Sequence, residues 1–322
     1  MRPVRVLTGI DAVRRPPVRA VVTVGVFDGV HLAHQRLIRA TVQEARRVRG
    51  TSVALTFDPD PHAVLDPAHA PPALMPLSAR VEHLAELGVD WIWVVPFTKR
   101  FARMTAEQFV RRVLIRRLRA AALVVGAAFV FGRNRQGNMD VLRAIAPAHG
   151  MRVMSLRQVQ HSGRSISSSR IRRLIARGRL AQAAALLGRA PELYGVVVRG
   201  AGRGRALGTP TANIAIRSCA LPPRGVYAVM VRALGASRAR RGVIGGGVMN
   251  LGVRPTFGPG PCVCEVHLPG FSGSLLGRPV RVSLLARLRG ERRFPSAEAL
   301  LAQIRRDLTR ATRLFTPPSR VS

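Results

Sequence analysis

Two patterns of apolar residues follow one another along the chain, and each predicts a different kind of domain. In the first part, short β-branched runs alternate with stretches whose apolar residues recur at helical spacing. The predicted strands are VVTVG, TSVALTF, VDWIWVVPF, AALVVG and MRVMSLRQV. The predicted helices are QRLIRATVQEARRVRG, LSARVEHLAELG, TAEQFVRRVLIRRL, MDVLRAIAPAHG and SSSRIRRLIARG. Repeated strand–helix units predict a parallel, doubly wound α/β sheet.

After about residue 185 the pattern changes to short strands broken by Gly and Pro: YGVVVRG, RGVYAVMVRAL, GVIGGGVMNLGV, PCVCEVHL and RPVRVSLLARL. Such a series predicts an antiparallel barrel or sandwich. The closing segment SAEALLAQIRRDLTRATRLF predicts a helix, because it puts Leu300, Leu301, Ile304 and Leu308 on one stripe. We therefore expect two domains, 1–184 and 185–322.

The charge of the chain does not alter the prediction of two domains, but it bears on what the protein binds. It has 322 residues, with 52 basic and 16 acidic side chains and a net charge of +36. Such a charge is typical of nucleic-acid-binding proteins, and an Arg-biased composition explains it equally. The arginines are scattered over both halves and aromatic residues make up only 5%, which favours the compositional explanation. The charge also suits a phosphate-rich small molecule.

The three cysteines, Cys219, Cys262 and Cys264, have no metal-ligand spacing, and an odd, sparse count is typical of a reducing cytosol. No apolar run is long enough to span a membrane. The basic N-terminus lacks the continuous apolar stretch of a secretory signal. We expect a cytoplasmic protein that does not contact membranes.

The stretch GVFDGVHLAHQ follows a predicted strand and begins a predicted helix. Gly25 and Gly29 permit tight turns and close approach of a ligand. His31 and His34 lie one helical turn apart at the positive end of that helix, which suits a phosphate. There an imidazole can donate a hydrogen bond to a phosphoryl oxygen. The alternative is a pair of surface histidines.

A second stretch, ISSSRIR at 166–172, also places polar groups at a helix start. Its hydroxyls can cap the helix or donate to phosphate, and Arg164, Arg170 and Arg172 flank them. Alone, the stretch is equally consistent with an ordinary N-cap. Two such helix N-termini together suggest the two ends of a nucleoside triphosphate.

The second half holds two candidate sites. In GAGRGRALGTPTANI, Gly202, Gly204 and Gly208 can expose backbone N–H groups to phosphate, and Thr211 and Asn213 offer oxygen ligands for Mg²⁺. The alternative is a flexible loop. In PCVCEVHLPGF, strand alternation puts Glu265 on the opposite face from Cys264, so that Glu265 is a candidate base for phosphoryl transfer. The alternative is a surface carboxylate paired with an arginine.

In order along nearly the whole chain, these stretches resemble the bacterial bifunctional riboflavin kinase/FAD synthetase family. GVFDGVHLAHQ, TFDPDP, PFTKRFARMTAEQFV, VVGAAFVFGRNRQGN and ISSSRIR look like its adenylyltransferase half. GRGRALGTPTANI, GVYAVMV, GVMNLGVRPTFG, CEVHLPGFSGSLLG and RLRGERRFPSAEALLAQIRRD look like its kinase half. The resemblance implies an α/β Rossmann-like nucleotidylyltransferase domain, followed by a mainly-β, six-stranded riboflavin kinase barrel with a C-terminal helix.

The resemblance also implies an activity: ATP-dependent phosphorylation of riboflavin to FMN, then adenylylation of FMN to FAD. Its substrates are riboflavin, FMN and ATP, with Mg²⁺ as the cofactor, and a monomer or weak oligomer is expected. His31 and His34 would steady the transferred phosphoryl group, and Glu265 would take a proton from the ribityl hydroxyl. Thr211 and Asn213 would hold the metal. ATP and its phosphates would contact Gly25, Phe27, Asp28, Gly29, Arg164, Ser167, Ser168, Arg170, Gly202, Gly204 and Gly208, and flavin would contact Phe129, Asn250 and Arg254.

Some positions depart from the family pattern, notably Ala128, where an Asp or Asn usually precedes Phe129. The other departures are Ala33, Asp60, Thr209, Gly270 and Leu276. Loss of the side chain at 128 would weaken flavin adenylation. Three alternatives therefore stay open: a riboflavin kinase whose adenylyltransferase half is impaired, an Arg-rich nucleic-acid-binding protein on the same fold, and a different nucleotidylyltransferase, which leaves the barrel unexplained.

Overall fold

The computed structural model describes residues 3–200, 209–216, 219–234, 242–253 and 262–315. Internal contacts divide the chain into two units, Met1–Pro72 with Leu77–Ser168, and Ala73–Pro76 with Ser169–Ser322. The division falls near the start of a helix, Ser168–Ala176. The domain boundary at 184 stays a prediction.

The first unit is built on a six-stranded parallel sheet. Its strands are β1 Arg5–Thr8, β2 Ala20–Val24, β3 Ser52–Asp58, β4 Trp91–Pro96, β5 Ala120–Gly126 and β6 Arg152–Leu156. They lie in the order β1-β4-β3-β2-β5-β6, and every pair is parallel. This confirms the parallel α/β sheet. A separate two-stranded hairpin consists of β7 Gln160–His161 and β8 Arg164–Ser165.

Helices of different lengths connect these strands. They are α1 Leu32–Arg47, α2 Pro61–Leu65, α3 Leu77–Glu86, α4 Lys99–Ala102, α5 Ala106–Phe109 and α6 Met139–Ile145. Two more helices, α7 Ser168–Ala176 and α8 Leu180–Leu187, follow the hairpin. Short 3₁₀ turns lie at Pro67–His69, Arg133–Arg135 and Pro147–His149. Thr105 and Gln108 form a capping box at the start of α5. The helix then continues as a π-helix over Val110–Arg117, which the apolar spacing did not distinguish from an α-helix.

Both faces of the parallel sheet are covered, because alternate residues of each strand point to opposite sides. On one face Val21, Ala122 and Val124 pack with Ala45 of α1. On the other, Val22, Leu55 and Trp93 belong to a larger core that includes Val110, Val113 and Leu114 of the π-helix. From β2 the chain passes to β3 on one side, and it later places β5 on the other. The carboxyl end of β2 is thus the topological switch point, where ligands bind in such sheets.

The second unit is a closed antiparallel barrel of six strands. These are β9 Glu192–Val198, β10 Thr211–Ile216, β11 Gly225–Ala233, β12 Gly242–Val253, β13 Cys262–His267 and β14 Pro279–Arg289, in the order β10-β13-β12-β11-β14-β9. The apolar pattern identified five of them, and the family resemblance implied six. The strand that the apolar pattern does not predict is β10, which lies in the Gly-rich stretch GAGRGRALGTPTANI and the residues after it.

The last helix, α9, spans Ala297–Thr312 and is capped by Ser296, as the closing pattern predicts. Its Ala311 is buried with Val226, Val248 and Leu288, and Leu308 packs against that cluster. α9 therefore covers part of the outer face of the barrel. Within the described residues, no helix is long and apolar enough to cross a membrane.

Candidate functional sites

The turn after β2 is compact because of its glycines. A Cβ atom at Gly25 would lie 2.9 Å from the ring of Phe27, so only glycine lets that ring fold back over the backbone. Phe27 is 1% exposed. Gly29 has a φ of +83°, which residues with a side chain rarely adopt. The turn therefore brings Asp28 and the start of α1 to the switch point of the sheet.

The two histidines form a stacked pair at the start of α1. His31 is the N-cap residue, and its Nδ1 accepts a hydrogen bond of 3.4 Å from the backbone N–H of His34. The two rings lie parallel with centroids 3.6 Å apart, and Phe27 packs edge-on against His34. His31 is buried. These contacts hold both imidazoles at the helix N-terminus.

The His34 ring is neutral near pH 7. Burial, together with the charges of His31 and Arg80, lowers its pKa well below the usual value. Its Nδ1 is buried and has no hydrogen-bond partner among the described residues. A buried polar atom without a partner is unfavourable unless a ligand completes it. The site therefore has an unused hydrogen-bonding atom at the end of a helix that favours anions.

Arg80 of α3 lies behind this turn, and the sequence analysis did not identify it. It is 4% exposed and donates to the carbonyl of Phe57 at 2.8 Å and to Oγ1 of Thr56 at 3.3 Å. Thr56 in turn donates to the carbonyl of Val26 at 3.0 Å. Burial lowers the pKa of Arg80, while the nearby charges of Asp28, Asp58 and Asp60 raise it. Arg80 is a buried cation that links the end of β3 to the turn.

The stretch ISSSRIR meets the same turn. Oγ of Ser168 donates a 2.8 Å hydrogen bond to the backbone carbonyl of Asp28. Ser167 and Arg164 are exposed just before α7, and Arg170 is half-buried within α7. The structure thus brings together seven of the first-half candidates: Gly25, Phe27, Asp28, Gly29, His31, His34 and Ser168. Their role in binding ATP stays a prediction.

A chain of phenylalanine rings borders the same edge of the sheet. Phe129, after β5, stacks on Phe131 at 5.3 Å between centroids, and Phe131 contacts Phe109 at 5.6 Å. Ring contacts continue from Phe109 through Phe101, Phe97 and Phe57. Phe129 is half-buried while Ala127 and Ala128 beside it are exposed. Most of these rings meet edge-on or tilted, and only Phe129 and Phe131 are close to parallel. The half-buried Phe129 ring is an apolar surface of the kind that an aromatic ligand contacts.

The second candidate site is a row of polar residues across three barrel strands. Glu265 of β13 pairs in register with Asn213 of β10 on one side and with Asn250 of β12 on the other. Residues directly opposite in a sheet point to the same face. Cys264 and Val266 are buried inside the barrel, so Glu265 and the two asparagines lie on its outer face. This confirms the alternation inferred from the sequence.

The environment of Glu265 suits a proton acceptor. The carboxylate is half-buried, and no described residue forms a hydrogen bond or ion pair with it. The alternative from the sequence, a carboxylate paired with an arginine, therefore finds no partner within the described ranges. The neighbouring His267 is paired in register with Thr211, and its Nδ1 lies 2.9 Å from the carbonyl oxygen of Pro210.

A cavity of about 620 Å³ opens at this end of the barrel and is lined by Thr211, Asn213, Gly200 and the segment 271–276. Thr211 and Asn213 lie on a strand, and not in the flexible loop that was the alternative. Asn213 is 7% exposed, and its Oδ1 is buried without a hydrogen-bond partner among the described residues. An unpaired amide oxygen beside a hydroxyl is a donor set that fits Mg²⁺, which takes few protein ligands and completes its shell with water and phosphate.

Four of the candidate residues, Gly202, Gly204, Gly208 and Arg254, lie outside the described residues. Among the rest, the structure assembles two separate sets. One set lies at the switch point of the parallel sheet in the first unit. The other lies on the outer face of the barrel in the second unit; Asn213 of that set also lines the cavity, whereas Glu265 and Asn250 are not among its described lining residues.

The chain matches two family models in order: FAD synthetase over residues 14–170 and riboflavin kinase over residues 187–315. It is 36% identical over 312 residues to the bifunctional riboflavin kinase/FMN adenylyltransferase of Escherichia coli (strain K12), covering 97% of this chain and 98% of that protein. Identity to the protein of the same name in Haemophilus influenzae is 34%, covering 97% and 99%.

Among solved structures, the chain is similar to one described as a macrolide-efflux protein from Streptococcus pneumoniae. The two share a TM-score of 0.83 and 28% sequence identity, and the likeness covers 95% of this chain and 99% of that one. The likeness extends over both units and shows a common fold for each.

Proposed function

Because the chain belongs to the bifunctional riboflavin kinase/FMN adenylyltransferase family, we propose that it converts riboflavin to FMN and then FMN to FAD, using ATP in both steps. The two polar sets in separate units support one site for each reaction. The observation that carries the kinase assignment is the register of Asn213, Glu265 and Asn250. The kinase and adenylyltransferase activities account for both halves of the chain.

In the kinase step, Glu265 accepts the proton of the ribityl 5′-hydroxyl as that oxygen attacks the γ-phosphorus of ATP. The new O–P bond forms as the bond to the ADP oxygen breaks, in line with it. Thr211 and Asn213 would hold Mg²⁺, which neutralises phosphate charge when bound. Asn250 orients the substrate on the other side of Glu265. The cavity beside Thr211 supplies the space for the nucleotide.

In the adenylyl transfer, a phosphate oxygen of FMN attacks the α-phosphorus of ATP and pyrophosphate leaves. The work of the protein is positioning and electrostatic stabilisation. The neutral His34 and its stacked neighbour His31 donate to phosphoryl oxygens at the N-terminus of α1, where the helix dipole favours negative charge. Ser168 fixes the turn through the Asp28 carbonyl. Phe129 offers its ring to the flavin.

The test is to incubate the protein with riboflavin and MgATP and to resolve riboflavin, FMN and FAD by chromatography. Glu265→Gln should abolish FMN formation from riboflavin and leave FAD formation from supplied FMN unchanged. Glu298→Gln, an exposed carboxylate on α9, is the matched control and should change neither step. Equal loss of both steps in Glu265→Gln would refute the role of Glu265, and absence of both products with the native chain would refute the proposed function.

One observation favours a second candidate function, that of a kinase alone. The position where the family has an Asp or Asn beside Phe129 is Ala128, and it is exposed. Accumulation of FMN without FAD in the same assay would establish this function instead. In either form we infer a cytoplasmic enzyme of monomeric or weakly associated chains, with an adenylyltransferase domain to about residue 184.

A further inference from the structure

A set of arginines lies at the amino edge of the parallel sheet, opposite the candidate nucleotide site, and the proposed function does not use it. Four strands that are neighbours in the order β3-β2-β5-β6 each have an arginine at their start or in the turn before it. These amino-edge arginines are Arg49 before β3, Arg19 before β2, Arg119 before β5 and Arg152 at the start of β6. The fold thus aligns residues that are far apart in sequence.

An open cavity of about 690 Å³ lies at this edge, lined by Arg19, Arg49 and Arg152 together with Arg47 of α1. The buried carboxylate of Glu44 pairs with Arg47 at 2.8 Å and also with Arg152. The positive charge of the cavity therefore exceeds the negative charge that Glu44 brings.

No ion pair among the described residues offsets the charge of the other members of the set. Among the described residues, no carboxylate pairs with Arg19, Arg49 or Arg119. The guanidinium of Arg19 donates only to the carbonyl of Val48, at 3.1 Å. All three arginines are exposed, so that an anion can reach them from solvent.

The backbone does not explain why arginine occupies these positions. Arg19, Arg49 and Arg119 have φ values of 42°, 52° and 47°, in the left-handed region where glycine and asparagine are favoured and long side chains are rare. A strained arginine at the start of three adjacent strands is consistent with selection for its charge.

We propose that the amino-edge arginines bind the phosphate backbone of a nucleic-acid duplex without sequence preference. Four adjacent strands at about 4.8 Å spacing give a row about 14 Å long. One strand of a duplex presents a phosphate about every 3.4 Å of axis, so a row of this length can contact several phosphates of a duplex. The described lining of the cavity has no aromatic side chain on which unpaired bases stack, and this favours a duplex over a single strand.

The experiment measures binding of the full chain to a fluorescent duplex of mixed sequence over a series of salt concentrations. The test variant carries three substitutions together, Arg19→Asn, Arg49→Asn and Arg119→Asn. Asparagine removes the charge and tolerates the positive φ of these positions. The matched control removes the same charge from the exposed arginines of the C-terminal helix region, with Arg305→Gln, Arg306→Gln and Arg313→Gln. The tryptophan-fluorescence unfolding midpoint checks that the test variant stays folded, because Trp91 and Trp93 lie in the same unit as its substitutions. FMN formation from riboflavin checks that the control variant stays folded in the second unit.

Three phosphate contacts contribute about 3 to the slope of log K against log salt. We expect the test variant to lose about that much slope and at least about tenfold in affinity at physiological salt, and the control to lose less than about twofold. A triple Arg→Lys variant at the test positions should keep the binding. Equal losses in test and control, or no binding by the native chain, would overturn the proposal. Equally tight binding of polyglutamate would overturn the assignment to nucleic acid.

Discussion

Replacing Arg80 with methionine keeps the length and the apolar stem of the side chain and removes its charge and its donors. The structure gives the consequences. Two hydrogen bonds, to Phe57 and Thr56, are lost, and the 3%-exposed carboxylate of Asp28 loses a nearby positive charge. Removing one partner from a buried charged group destabilises a protein by about 3–5 kcal/mol. We expect a loss in that range for the first unit.

The two tryptophans of the chain, Trp91 and Trp93, both lie on β4, so tryptophan fluorescence reports on the first unit by itself. With a urea dependence of about 1–3 kcal/mol per molar, the unfolding midpoint of Arg80→Met should fall by at least about 1 M. FAD formation from FMN should fall with it, and FMN formation from riboflavin should not. The control is Arg112→Met, an exposed arginine of the π-helix, which should leave the midpoint in place. An unchanged midpoint in Arg80→Met would refute the reasoning.

Three further predictions concern single groups. The pKa of His34 in the folded chain lies below the unfolded value of 6.5, so the free energy of unfolding of the first unit should fall as the pH falls below 6.5. The fall should be smaller in His34→Asn. An equal pH dependence of the unfolding free energy in the two proteins would contradict this. Burial raises the pKa of Tyr194 and Tyr227 above 10.0, so the barrel should lose stability as the pH rises past 10.0. Tyrosinate absorbance from the folded chain at that pH would count against this prediction. Ala128→Asn should lower the KM for FMN in FAD formation by about fivefold, because one added hydrogen bond contributes about 1 kcal/mol. The KM for riboflavin should stay the same. No change in either KM would argue against a flavin contact at position 128.

Local patterns were enough to predict most of the fold. The β-branched runs gave five of the six strands of the parallel sheet, and β1 was missed because its four residues are mostly exposed. β10 was missed because TANIAI follows a Gly-rich stretch and reads as a continuation of it. Strand order and barrel closure depend on pairings between distant residues, which no local pattern contains.

The candidate site residues also divide into those that local sequence predicts and those that depend on distant residues. His31 and His34 were identified because their neighbours in sequence also form their surroundings in space. Glu265 was identified from strand alternation alone, and its partners in register, Asn213 and Asn250, come from other strands. Arg80 was not, because its partners come from β3 and the β2 turn. In LSARVEHLAELG, helical spacing puts the apolar residues Val81, Leu84 and Leu87 on one face, whereas the structure buries Ala79, Arg80, His83 and Leu84. A charged residue one turn before Leu84 was the available signal.

The backbone pairing that aligns Asn213, Glu265 and Asn250 has a consequence for how this chain can evolve. Main-chain hydrogen bonds of the barrel set the spacing of these three side chains, and those bonds do not depend on the residues of the surrounding loops. Departures from the family pattern in those loops, such as Gly270 and Leu276, therefore leave the spacing of the three unchanged. Arginine can accumulate elsewhere on the chain while these three residues keep their register.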